Sequence, residues 1–195
     1  MAFYRLSFKI ILLSLIFFLN INLVFCQQLS IEGKYFTLHV YEGCDLVKFA
    51  QKLNINYLLH VDTFLEEAKD MDSIIAKALD ALYLEVSDIL DIHIYSYHGK
   101  IKIYPNKEDV ESNVATALKK QHAKKTDFPA VYRHSLNTIY ASFPDLTLGM
   151  LAHEIAHAIL SHYFVVPPPT KIQEVLAGYV EYTIRKSTGT LPPKR

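Results

Sequence analysis

The segment Leu151-Ala152-His153-Glu154-Ile155-Ala156-His157-Ala158-Ile159-Leu160 constrains this chain more than any other. Its apolar residues cover most of a helix surface, so the helix belongs in a core. Yet it carries two histidines and a glutamate, and burying such groups is costly unless each finds a partner. Residues four apart on a helix sit about 40° apart around the axis and one turn apart along it. His153 and His157 can therefore reach one common point. Glu154 lies about 100° from His153, at the edge of the same face. A metal ion at the common point would satisfy both imidazoles and leave the carboxylate free to meet a water molecule. The plain alternative is two ordinary histidines on a core helix.

Zinc in a catalytic setting needs a third protein ligand and an open position for water. Three residues are near enough in sequence. His162 lies nine residues beyond His153, about 180° around the helix, and should face away. Glu174 and Glu181 fall on the next helix, seven residues and about 10 Å apart along its axis, so they cannot both ligate one ion. Glu174 is the expected ligand. It stands in the first turn after Pro167-Pro168-Pro169, and Ala177 and Gly178 follow it as small residues that let two helices approach. Glu181 can orient a ligand histidine by accepting its ring N–H, or stand as a solvated carboxylate.

The rest of the chain reads as α+β. Residues 34–41 alternate with a period of two, a strand. Residues 45–53 suggest a short helix and 62–90 one broken helix or two. Segments 92–97 and 100–104, β-branched and aromatic on either side of His98-Gly99, predict a hairpin. Asn106 can cap a helix running to about Gln121, before a polar loop over 122–129. Residues 131–143 are mostly extended, with a turn at Asn137. The helix bearing His153 opens after Pro144, with Asp145 or Thr147 as N-cap, and runs to about Tyr163. Thr170 is the expected cap of the last helix, which ends near Ser187, with Gly189 beyond it.

The first 26 residues have the layout of a secretory signal. Arg5 and Lys9 precede an apolar run over 10–25, and a polar stretch follows. Removal before Gln27 would leave residues 27–195 as one domain, in the periplasm or secreted. A lipidated Cys26 and an uncleaved membrane anchor are the alternatives. With Cys26 removed, Cys44 stands alone, which excludes an internal disulfide and a cysteine zinc site. The chain has 20 basic and 20 acidic side chains, a balance that gives no expectation of nucleic acid as partner. Its one dense basic run, Lys119, Lys120, Lys124 and Lys125, reads as a solvated helix end.

His153-Glu154-x-x-His157, followed by Glu174 in Gln173-Glu174-Val175-Leu176-Ala177-Gly178-Tyr179, resembles the gluzincin group of zincin metallopeptidases, most closely its peptidase MA-like branch. There an acid opens a helix of the form Glu-x-x-Ala-x-Tyr. The resemblance covers residues 136–182. Tyr163 stands where a metzincin would have its third histidine. Ile172-Gln173 replaces the Trp-Leu usual in the family, and Gly178 replaces a second acid. The resemblance implies a zincin-like fold with a small mixed sheet, an active-site helix and a Glu-bearing helix. It also implies Zn²⁺ on His153, His157 and Glu174, Glu154 as general base, and a peptide or protein substrate. The sheet edge beside the cleft, expected at residues 138–142, would take that peptide as an added strand. Tyr179, Tyr182, His134, His162 and Arg185 are the candidates for steadying an oxyanion. The expected function is zinc-dependent peptide hydrolysis. A catalytically inactive zincin-like domain that binds a peptide or partner protein is the alternative.

Overall fold

The computed structural model describes residues 28–53, 68–119 and 129–191. The signal segment (1–26), the start of the helical pattern at 62–67, the predicted loop up to 128 and Lys120, Lys124 and Lys125 lie outside the described residues. No helix among the described residues is long and apolar enough to cross a membrane.

The architecture is α+β. Five strands form one mixed sheet: β1 (Leu29–Glu32), β2 (Phe36–Val40), β3 (Gly99–Tyr104), β4 (Ala130–Arg133) and β5 (Thr138–Ser142), in the order β1-β2-β3-β5-β4. The outer pairs are antiparallel, with Ile31 opposite Leu38 and Tyr132 opposite Ile139. The inner pairs are parallel, with Leu38 opposite Ile101 and Ile101 opposite Ile139. One row of side chains, Ile31, Leu38, Ile101, Ile139 and Tyr132, thus crosses the whole sheet and is buried.

Among the described residues five α-helices accompany it: α1 (Leu46–Leu53), α2 (Met71–Leu90), α3 (Lys107–Ala117), α4 (Leu148–Tyr163) and α5 (Thr170–Ser187). In α2 the buried positions Ile75, Ala78, Leu79, Leu82 and Val86 recur at spacings of three and four, the stripe that seats a helix on a core. Its start is fixed by a capping box in which the Asp70 carboxylate accepts from Ser73 N–H and the Ser73 hydroxyl accepts from Asp70 N–H. On the sheet's other face, Val110 and Val114 of α3 pack on Tyr104 and Tyr140 in a smaller cluster. Asn106 caps α3 as expected, its side chain accepting from Asp109 N–H.

Two expectations about the sheet are corrected. Residues 92–97 are not a strand, and β3 is no hairpin arm. The left-handed Asp91 ends α2, and Ile92 N–H bonds back to Ser87 O, so the chain leaves the helix in a tight turn. The apolar character of that stretch serves the core: Tyr97 stacks on Tyr83 with ring centroids 5.3 Å apart, and Tyr83 donates to Ile94 O. Residues 138–142 are not an edge. β5 lies between β3 and β4 with all five residues buried, and β4 is the edge. β1, unanticipated, pairs with β2 at the opposite edge.

Smaller differences concern the helix starts. Thr147 rather than Asp145 caps α4, accepting from Met150 N–H. Asp145 instead accepts from the Ser142 hydroxyl. Pro169, not Thr170, is the residue before α5 and makes no side-chain cap. Its carbonyl accepts from Ile172 and Gln173 N–H, so the proline break starts the helix through its backbone. Asn137 turns left-handed between β4 and β5, and Gly189 follows α5 with positive φ, both as read from sequence.

Candidate metal centre

The centre sits where α4 and α5 cross beside β4. Leu151, Ala152, Ile155, Ala156 and Ile159 of α4 are fully buried, which locks the rotation of the helix about its axis. Ala177, Val180 and Ile184 of α5 are equally buried. The two helices close up at Gly149, where a Cβ would sit 2.8 Å from Arg185 Cγ and 3.3 Å from Glu181 Cγ. Gly178 does not contribute to this approach, since a Cβ there would meet nothing within 4 Å.

This packing brings three donors together. His153 Nε2 and His157 Nε2 lie 3.2 Å apart. The Glu174 carboxylate is 3.5 Å from each imidazole through one oxygen apiece. The three donor atoms fall within 4.8 Å of one another, a group that could hold a metal ion. Four ligands at about 2.0–2.1 Å in a tetrahedron stand about 3.3 Å from one another, close to the 3.2 Å between the imidazole nitrogens and the 3.5 Å from each to its own carboxylate oxygen. His162 stays outside this group. Its Nδ1 is 2.9 Å from Ala158 O, and its ring packs against Tyr97 and His134.

The surroundings shape the ligands. The buried Nδ1 of His153 has no well-aligned hydrogen bond. Glu181 Oε2 lies 3.3 Å from it, the placement expected of a carboxylate that orients a ligand ring. Glu181 is held in turn by Arg185, 3.4 Å away. Burial, with help from His153, holds the His157 pKa below the ordinary imidazole value, while Glu174 and a hydrogen bond donated by the imidazole to the Gln173 side chain oppose the shift. His157 is therefore neutral near pH 7, the form that binds metals. Gln173 also donates to Pro168 O at 2.7 Å, which ties the proline break to the site.

Glu154 lies beside the group without joining it. Its Oε2 accepts from Tyr132 N–H of β4 at 2.6 Å. Burial pushes its carboxyl up to about 7, against the pull of His153 and of the Tyr132 hydrogen bond. It is thus poised to exchange a proton near neutrality.

An open cleft of about 560 Å³ exposes these groups, with β4 as one wall and Pro167, Thr170 and Gln173 as the other. Of the five oxyanion candidates only His134 lines it. Tyr179 and Tyr182 point to solvent from α5, and Arg185 is engaged by Glu181. The sequence reading missed the Tyr132 amide, a backbone group invisible in side-chain patterns, and the role of Gln173, whose place next to Glu174 was the available signal. Cys44 is apart from the centre. Burial raises its thiol to about 11, and it contacts Ile103 O. Comparison with protein-family models, curated proteins and solved structures finds no match for this chain.

Proposed function

We propose that this chain is a zinc-dependent peptidase of the gluzincin type. The observation that carries the reading is the convergence of His153 Nε2, His157 Nε2 and the Glu174 carboxylate, the imidazole nitrogens 3.2 Å apart and each 3.5 Å from one carboxylate oxygen, with Glu154 beside them. Two imidazoles and one carboxylate are a donor set suited to zinc with one position left open. Bound there, zinc would polarise a substrate carbonyl and lower the pKa of water towards about 7.

The chain's own residues supply the rest. Glu154, protonating near pH 7, takes a proton from the attacking water at its carboxylate and returns it to the leaving amine. The Tyr132 amide holds that carboxylate in place. Ser142 N–H bonds Pro129 O, which turns the main chain of residues 129, 131 and 133 towards β5 and that of Ala130 and Tyr132 outward. An extended peptide can add along this edge and lay its backbone across the cleft.

The test is zinc stoichiometry together with cleavage of a broad peptide library by the chain and by Glu154→Gln. About one zinc in both, with cleavage by the first alone, supports the proposal. Zinc in both with cleavage by neither supports a domain that only binds peptides. No zinc in the parent chain defeats both readings.

A further inference from the structure

The solvent side of α5 carries Ile172, Val175, Tyr179 and Tyr182, each between 49% and 63% exposed. Their spacing of three, four and three is the seam by which one helix packs on another, and it lies away from the Ala177, Val180 and Ile184 face already buried against α4. The connection leading into α5 adds Tyr163, Phe164, Val165 and Val166, with Val165 fully exposed. At usual side-chain areas the seam and the connection together expose on the order of 900 Å² of apolar side chain. That matches the roughly 800 Å² each partner gives to a stable interface.

Gly178 is the second observation. It sits inside α5, beside the seam between Val175 and Tyr179. A glycine there costs the helix about 1 kcal/mol relative to alanine, and beyond its chain neighbours and the adjoining helix backbone nothing lies within 4 Å of where its Cβ would be. The notch serves no contact within the described residues. It does let another backbone come close.

We propose that a second copy of this chain covers the seam, with the two α5 helices antiparallel about a two-fold axis beside Gly178. That axis sets Ile172 opposite the partner's Tyr182 and Val175 opposite the partner's Tyr179, a small branched side chain against a large aromatic at every step. A parallel arrangement would oppose tyrosine to tyrosine. In the antiparallel one Lys171 faces the partner's Thr183 and Lys186 faces the partner's Pro168, so no like charges meet. A bilayer would accept the same side chains, but it would draw no benefit from helix-packing spacing or from a backbone notch.

Sedimentation equilibrium on the full chain tests this. The parent chain is expected to dimerise, and Tyr179→Glu to raise the dimer Kd at least tenfold with unchanged helix content. Gly178→Ala separates the notch from simple helix propensity: it should raise the Tm of the monomer yet weaken association. An equimolar mixture of Val175→Cys and Tyr179→Cys chains should cross-link on mild oxidation, whereas Val175→Cys alone should not. The proposal is overturned by a chain that stays monomeric at every concentration, or by association that survives Tyr179→Glu. Cross-linking of Val175→Cys to itself, or Tyr179-dependent binding of monomer to phosphatidylcholine vesicles, also overturns it.

Discussion

The amide of Tyr132 donates to the carboxylate of Glu154 at 2.6 Å, joining the edge of the sheet to the helix that carries both histidines. One hydrogen bond thus registers the strand that would hold a substrate against the group that would move its protons. Glu154→Gln keeps an acceptor for that amide but cannot take up a proton. It should lose peptide hydrolysis by on the order of 10²–10⁴-fold while retaining zinc, read from kcat and from metal analysis on the same preparation.

The same carboxyl gives a pH signature in the metal-free chain. Its folded pKa of about 7 stands above the ordinary 4.5, so the folded state keeps a proton that the unfolded chain releases. The resulting stabilisation is complete below 4.5 and is lost as pH rises through about 7. Urea unfolding of metal-free protein across this range should show that loss, and Glu154→Gln should flatten it. Zinc, as a nearby cation, should pull the value down and remove the same slope.

Removing His153, His157 or Glu174 should abolish stable zinc binding, whereas Glu181→Gln should only weaken it. A carboxylate orienting a ligand ring is worth about 10–100-fold in affinity, and Glu181 lies 3.3 Å from His153 Nδ1. Competition with a chromogenic chelator measures all four. In the parent chain, zinc at about 100 times its Kd should stabilise the fold by about 2.7 kcal/mol, and a chelator should reverse the gain in Tm.

Ala130→Pro probes the edge strand. Proline is tolerated on an edge because the lost N–H faces outward. The variant should keep the fold and its zinc but raise KM for extended peptides several-fold. Unchanged kinetics would mean that substrate does not pair with β4.

Asp80 tests the framework away from the centre. Its buried carboxylate accepts from Lys34 N–H and Tyr35 N–H, both at 2.9 Å. Asp80→Ala strands both donors and should cost about 2–4 kcal/mol in chemical denaturation, with zinc affinity unchanged.

The centre was more legible than the sheet around it, for physical reasons. His153, Glu154 and His157 are tied by helical geometry alone, and the three prolines fix where the next helix must begin, so Glu174 and Glu181 followed from spacing. Strand order has no such local rule. Nothing in residues 138–142 announces that β4 pairs along their outer side, which makes β5 central, or that α3 packs on Tyr140. The stretch from Ile92 to Tyr97 has strand-like residues because Ile92, Ile94 and Tyr97 pack on the core from a loop whose other side chains are exposed. Gly178 has the small size of a helix-contact residue, but its rotation on α5 turns it away from α4.

The proline-linked pair of helices has a bearing on how the protein is made. His153 and Glu174 are 21 residues apart, whereas the parallel pairing of Phe36 with Gly99 spans 63. Closing the longer loop costs about 1 kcal/mol more, and non-local strand pairing is slow. On the proposed function, a chain emerging into zinc would chelate it through its helical hairpin before the sheet is zipped. Glu154 acquires its Tyr132 partner only when β4 docks. On the proposed function, metal capture and catalytic competence would be separate events in the order of assembly, the ion held before the carboxylate that moves protons is in place.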